Sequence, residues 1–159
     1  MQVFGSRDRF AILVGPPAAS IRTVEIWAGG KTLTPHDTSV YLPSFVHALV
    51  STERRLKEQL NFLRHEPLFL GLSATEAFQR IAESETPQLE QAWADLRLLD
   101  WGPTTDDFLC FLLPIHGKLQ QVCRENESGS IHTGVVLPYE IIQAIEGARH
   151  ALSLQFTSA

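Results

Sequence analysis

Asp100, Asp106 and Asp107 bring three carboxylates within eight residues, the kind of oxygen donor a hard divalent cation takes. Their spacing matches no EF-hand loop, so no metal is expected on them. Gly71-Leu72-Ser73-Ala74-Thr75 has the first glycine and the serine of a nucleophile elbow but lacks the closing glycine. Ser73-Ala74-Thr75-Glu76 reads instead as a capping box, which gives Ser73 a structural task. Gly15-Pro16-Pro17 has neither the spacing nor the lysine of a phosphate-binding loop. The six histidines form no HxH, HxxxH or HExxH pattern. His47 and His65 fall on one side of a predicted helix, but 18 residues at about 1.5 Å each hold them ~27 Å apart, too far to share an ion. Both read as surface residues, and His65 also suits a helix C-terminus. No catalytic, cofactor-binding or metal-ligating residue is therefore expected. A metal-dependent hydrolase stays open as an alternative, and it would need Asp100, Asp106, Asp107 and a distant histidine to converge in a concave pocket.

The chemistry that remains is binding. Residues 83–107 hold Glu83, Glu85, Glu90, Asp95, Asp100, Asp106 and Asp107 against one Arg97, a formal −6, whereas the other 134 residues carry 11 acidic and 12 basic groups. The net charge of −5 thus originates in one stretch. Charge needed only for solubility can be scattered, so its concentration points to a positively charged partner, with a solvated face as the alternative. Glu83 and Glu85 come at the end of one predicted helix and Asp95 near the end of the next, where the helix dipole disfavours negative charge by about 0.3–1 kcal/mol each. Local stability does not explain them. Trp101, a loop tryptophan among these carboxylates, reads either as an anchor with a charged surround or as a lid on the core. The candidate partner-binding residues are accordingly Glu83, Glu85, Glu90, Asp95, Asp100, Trp101, Asp106 and Asp107.

With 159 residues, 44% of them hydrophobic, the chain can bury on the order of 70% of its unfolded surface, enough for one core and a single domain over 1–159. The longest apolar run, 108–115, is far short of a bilayer span. The start of the chain does not read as a secretory signal, because Arg7-Asp8-Arg9 is followed by only five apolar residues before Gly15-Pro16-Pro17. Two cysteines are too few for a disulfide framework, so a reducing cytoplasmic setting is expected. An acidic chain without a Lys/Arg stripe is not expected to bind nucleic acid.

The elements that must position these residues follow from periodicity. Residues 10–14 and 21–28 are rich in β-branched and aromatic types and read as strands, the second turning at Gly29-Gly30 into a hairpin. Residues 42–65 change to a helical stripe of Phe45, Leu49, Leu56, Leu60 and Leu63, with Pro67 ending it. A capped helix follows from Ser73, burying Ala77, Phe78 and Ile81. Another starts at Thr86-Pro87 and carries Leu89, Trp93 and Leu96. Strands return at 108–115 and 118–124, joined by His116-Gly117, with a short extended stretch at 131–136 and a closing helix from Pro138. Grouped strands and grouped helices predict an α+β fold, an antiparallel sheet of about five or six strands with three or four helices packed on one face.

If His116-Gly117 is a two-residue turn, Cys110 and Cys123 stand directly opposite each other in the closer, non-hydrogen-bonded class of pair. Two small buried hydrophobes are expected in a reducing compartment, with a redox couple or a zinc half-site as the minor alternative.

The opening Phe4-Gly5-Ser6-Arg7-Asp8-Arg9-Phe10-Ala11-Ile12 resembles the "FG-(D/S)-x-x-(R/K)-FAI" start of the immunity protein 42 family, small bacterial proteins encoded beside polymorphic toxins, including those of contact-dependent growth inhibition. Ile26 to Leu33 is similar to that family's strand, turn and "G-x-x-L" passage, and Tyr41-Leu42-Pro43-Ser44-Phe45 enters the long helix as the family's chain does. The likeness covers about the first third of the chain and, beyond that, only element order. It carries over no binding residue. It implies a cytoplasmic protein, a monomer or weak dimer without cofactor, that binds and neutralises a cognate toxin domain by direct contact. A basic nuclease domain is the expected partner, its phosphate groove met by the acidic cluster. A secretion chaperone or adaptor would share the acidity and the lack of motifs, and would show instead a groove for an unfolded or helical segment.

Overall fold

The structure is a computed structural model and describes residues 1–58 and 62–153. The first sheet contains β1 (Gln2–Ser6), β2 (Phe10–Val14), β3 (Ile21–Ala28), β4 (Lys31–Thr32) and β5 (Ser39–Tyr41), all antiparallel, in the order β1-β2-β3-β4 with β5 on β3 beside β4. Val24, Ile26 and Ala28 are buried while Thr23, Glu25 and Trp27 alternate outward, the period of two that the sequence displays. The turn at Gly29-Gly30 has φ of 57° and 81°, a left-handed pair that glycine adopts without a Cβ penalty and that matches the twist of the flanking strands.

Four α-helices lie among the described residues: α1 (Leu42–Glu58), α2 (Ala74–Glu83), α3 (Pro87–Leu96) and α4 (Pro138–Ser153), with a 3₁₀ helix at Phe62–Phe69 and a shorter one at Pro103–Thr105. α4 crosses β1 and β2 and packs beside α1. Its closest approach is at Gly147, where a Cβ would lie 2.5 Å from the Phe4 ring.

A second sheet follows, β6 (Phe108–Ile115), β7 (Lys118–Glu125) and β8 (Ile131–Val135), antiparallel in sequence order. α2, α3 and the 3₁₀ helix Phe62–Phe69 pack against β6. The expected single sheet of five or six strands is thus two sheets, of five and three strands. Periodicity marks strands but not which strands pair, and β1 and β5 are too short and too exposed to show a pattern. The sheets meet where Gly134 approaches Gly29 so closely that a Cβ on it would lie 3.0 Å from the Gly29 Cα, and the buried Gln121 side chain donates to the Arg9 carbonyl across the same junction. Buried side chains of both sheets form one hydrophobic cluster.

The hairpin register is as counted from the sequence. Cys110 faces Cys123 and Ile115 faces Lys118 across His116 and Gly117, whose φ values of 51° and 71° make a left-handed turn. Pro114 falls opposite Leu119 in a non-hydrogen-bonded pair, where its missing N–H costs the ladder nothing. The cysteines, expected as separate buried hydrophobes, are joined in a disulfide with their Cα atoms 4.2 Å apart. Register alone brings opposed side chains of a non-hydrogen-bonded pair within bonding reach, and composition could not show this.

The long helix is shorter than its apolar stripe suggests. The described part of α1 runs to Glu58, and Pro67 sits inside the 3₁₀ helix Phe62–Phe69 rather than ending an α-helix. The change of period turns Phe62, His65 and Phe69 inward and leaves Leu63 47% exposed. Leu60 lies outside the described residues.

Candidate functional site

The acidic stretch begins at a tight helical corner. Ser73 caps α2, its Oγ accepting from the Glu76 amide while Glu76 accepts from the Ser73 amide, as the capping box requires. α2 ends at Glu83, and Thr86 caps α3 with Pro87 in the first turn. Where the two helices meet, a cleft of about 300 Å³ is floored by Ile81, Leu89 and Trp93 and rimmed by Glu83, Glu85 and Glu90. All three glutamates are exposed. None makes a side-chain hydrogen bond or ion pair among the described residues.

Asp100, Asp106 and Asp107 are exposed as well but lie beyond α3. Asp100 approaches Arg97 at 3.4 Å. The main-chain carbonyls of Asp106 and Asp107 accept from the Asn126 side chain and amide at 2.7 and 2.8 Å, tying this turn to the β7–β8 loop and leaving both carboxylates without a partner among the described residues. Asp100, Asp106 and Asp107 do not join a histidine in one site, and among the described residues no three metal-ligating side chains are gathered.

Two of the expected partner-binding residues are not available to a partner. Asp95 is 4% exposed. Its Oδ2 accepts from His65 Nε2 at 2.9 Å and from Arg64 Nη2, its Oδ1 accepts from Gln91 Nε2 at 3.0 Å, and its main-chain carbonyl accepts from Arg55 Nη1 at 2.8 Å. Burial raises the Asp95 pKa, and the bonds from His65, Arg64 and Gln91 outweigh it, so the carboxyl lies below its ordinary value. Asp95 therefore joins α3 to the 3₁₀ helix and α1. His65, expected at the surface, is buried as its partner. The signal was present, because position 95 lies between Ala92 and Leu96 on the buried stripe of α3, and a carboxylate there needs a cation from elsewhere in the fold.

Trp101 takes the second of its two readings, a lid on the core. It is 4% exposed, donates Nε1 to Thr52 Oγ1 at 2.8 Å, and meets Phe10 and Phe45 edge to face at 6.3 and 5.9 Å. The aromatic residue at the acidic corner is Trp93, which sequence reading placed only on the buried stripe of α3. It is half-buried, packs edge to face on Phe111 at 4.8 Å, and lines both the acidic cleft and a groove between α1 and α3.

No helix among the described residues is long and apolar enough to cross a membrane. No protein-family model, curated protein or solved structure matches this chain.

Proposed function

We infer that this protein acts by binding, and that the α2–α3 corner receives a basic partner domain. The carrying observation is the set of unpartnered carboxylates, Glu83, Glu85 and Glu90 around the apolar floor of one cleft, with Asp106 and Asp107 extending the charge beyond α3. A lysine or arginine entering the cleft lays its hydrocarbon stem on Leu89 and Trp93 while its charge meets the glutamates. Carboxylates with no internal partner lose no protein contact when a cation arrives, so their attraction is available to association.

The resemblance of the opening segment to immunity proteins makes a toxin domain the partner, and a nuclease the toxin class whose basic cleft best fits such a surface. On this reading the protein neutralises its toxin by occupying the toxin's phosphate groove and performs no chemistry; the Cys110–Cys123 disulfide favours an oxidising setting over a reducing cytoplasm.

The test is to identify the product of the neighbouring upstream gene and, where it is an exported protein with a variable basic C-terminal domain, to purify that domain and follow its association with this chain by stopped flow. Association fast at low salt, slowing as ionic strength rises, and weakened by Glu83→Lys, Glu85→Lys and Glu90→Lys together supports the reading. Binding that the triple reversal leaves unchanged in rate, affinity and salt dependence would overturn it.

A further inference from the structure

On the far side of Trp93 the charge changes sign. The groove between α1 and α3 has a volume of about 390 Å³, left open because Ala48 and Ala94 line it with single methyl groups. Arg55 and Arg97 stand on it together with His47, Ser51 and Thr52. Donors outnumber acceptors there. Arg55 uses Nη1 on the Asp95 carbonyl and makes no other hydrogen bond among the described residues. Among the described residues Arg97 Nε is buried without a hydrogen-bond partner, and Arg97 Nη1 has only the exposed Asp100 carboxylate at 3.4 Å. Thr52 Oγ1 accepts from Trp101 Nε1, which leaves its own proton to give. Neither the Ser51 hydroxyl nor the His47 ring has a hydrogen-bond partner among the described residues.

The two guanidinium groups also act on each other. Burial lowers the Arg55 pKa; Asp95 raises it, Arg97 lowers it further, and Asp100 raises it. The carboxylate of Asp95 is already engaged by His65, Arg64 and Gln91. Asp95 supports Arg55 from behind the groove, and the carboxylate on the groove itself is Asp100, exposed and at weak hydrogen-bond distance from Arg97. A buried guanidinium N–H without an acceptor is costly, and planar donor forks of this kind match carboxylate and phosphate oxygens.

We propose that the α1–α3 groove is an oxyanion-binding site, in which a carboxylate or phosphate head sits between Arg55 and Arg97, takes further bonds from Ser51 and Thr52, and displaces Asp100 from Arg97. The groove is larger than an inorganic anion needs, and its remaining wall, Ala48, Ala94 and the Trp93 ring, is apolar. It thus fits a small organic acid or phosphate ester whose body lies against Trp93. This site shares the Trp93 ring with the acidic corner but none of the corner's glutamates, and its anion recognition stands or falls without that corner.

The experiment titrates the full chain with inorganic phosphate, phenyl phosphate and benzoate at constant ionic strength, reading tryptophan fluorescence and the thermal midpoint, with Trp93→Phe to assign the fluorescence. Saturable binding is expected, tightest for phenyl phosphate; equal affinity for inorganic phosphate would assign recognition to the head alone, and preference for benzoate would make a carboxylate the natural head. Arg97→Gln should weaken binding about tenfold or more, the scale of a lost charge-assisted bond, with circular dichroism confirming the fold. Asp100→Asn removes the internal competitor and should tighten binding about threefold, the scale of an exposed ion pair. The second variant decides the matter even if the first does not fold when it is read against Asp107→Asn, which removes the same charge at an exposed position outside the groove lining, because a non-specific ion effect gives the two variants the same gain. The proposal is overturned if no probe saturates, or if Asp100→Asn leaves affinity unchanged, weaker or tightened no more than Asp107→Asn does.

Discussion

Carboxylates serve two purposes in this molecule, and the seam between α1 and α4 shows the first. Glu53 is buried in α1 and meets Lys57 at 2.7 Å and Arg149 at 3.1 Å; Lys57 turns to Glu146 of α4 at 2.6 Å. Hydrogen bonds from Lys57 hold the Glu146 carboxyl below its ordinary pKa, and those from Glu146 and Glu53 hold the Lys57 amine above its own. Each of these four charges is answered within the fold. At the α2–α3 corner Glu83, Glu85 and Glu90 have the same side-chain chemistry and no answer among the described residues. The difference is one of use: charges that close on each other align helices, and charges left open act on whatever approaches. Asp95, one turn beyond Glu90 along α3, belongs to the first kind although sequence groups it with the second.

The comparison breaks most visibly at Asp95. Replacing it with Ala leaves His65 and Arg64 without their acceptor and unties α3 from the 3₁₀ helix. Loss of one partner of a buried pair costs about 3–5 kcal/mol; Arg64 is half exposed and screened by solvent, so the expected loss is nearer 2–3 kcal/mol, read from the urea midpoint. The pH dependence has a definite sign. Because the folded pKa of Asp95 is depressed, its contribution is fully present above the unfolded carboxyl value of about 3.9 and is lost as pH falls through the lower folded value. Asp95→Asn should flatten that acid limb, and an unaltered acid limb in this variant would show that the ionised carboxylate is not what holds the corner.

Reduction of the Cys110–Cys123 bond comes next. The bridge closes a loop with a sequence separation of 13, which in the chain-entropy account is worth about 3 kcal/mol. The two strands already pair through a tight turn, so about 2–3 kcal/mol is expected between oxidised and reduced protein in matched urea titrations. A difference near zero would mean that the strand ladder alone supports the second sheet, and a reducing compartment would then be no burden on the fold.

How far the sequence reveals this molecule depends on whether a property is local. The Cys110–Cys123 register, the Ser73 capping box and the alternation of β3 were legible because each is decided by residues close in the chain. Three outcomes were not. The way the two sheets meet depends on the Gly29–Gly134 contact, between residues more than 100 apart in the chain. The inward turn of His65 follows from a shift from α to 3₁₀ period that an apolar stripe does not announce. The Arg55–Arg97 groove needs α1 and α3 side by side, and a count of charges along 83–107 treats Arg97 only as a deduction from the acidic total. For the acidic stretch itself, composition located Glu83, Glu85, Glu90, Asp100, Asp106 and Asp107 at the surface and misplaced Asp95, which is aimed at the core; Trp101, which it left between anchor and lid, is the lid.

The smallest expected change in stability separates the two kinds of carboxylate most sharply. Glu83 is the last residue of α2, where the negative end of the helix dipole disfavours it, and Glu90 lies in the first turn of α3, where the positive end favours it. Glu83→Gln should therefore stabilise the fold slightly and Glu90→Gln destabilise it slightly, each by about 0.3–1 kcal/mol at low salt and less as salt screens the dipole. Glu85, between the helices, belongs to neither dipole. The triple Gln variant should sit within about 0.5 kcal/mol of the parent, as exposed substitutions usually do, while its association with a basic domain slows and loses most of its salt dependence. Gln keeps the size of the side chain and its hold on the cleft rim, so a binding defect in this variant reports charge and not shape. A stability loss beyond about 1 kcal/mol would place these glutamates with Glu53 and Asp95 as members of the fold, and the corner would no longer stand apart from the seam.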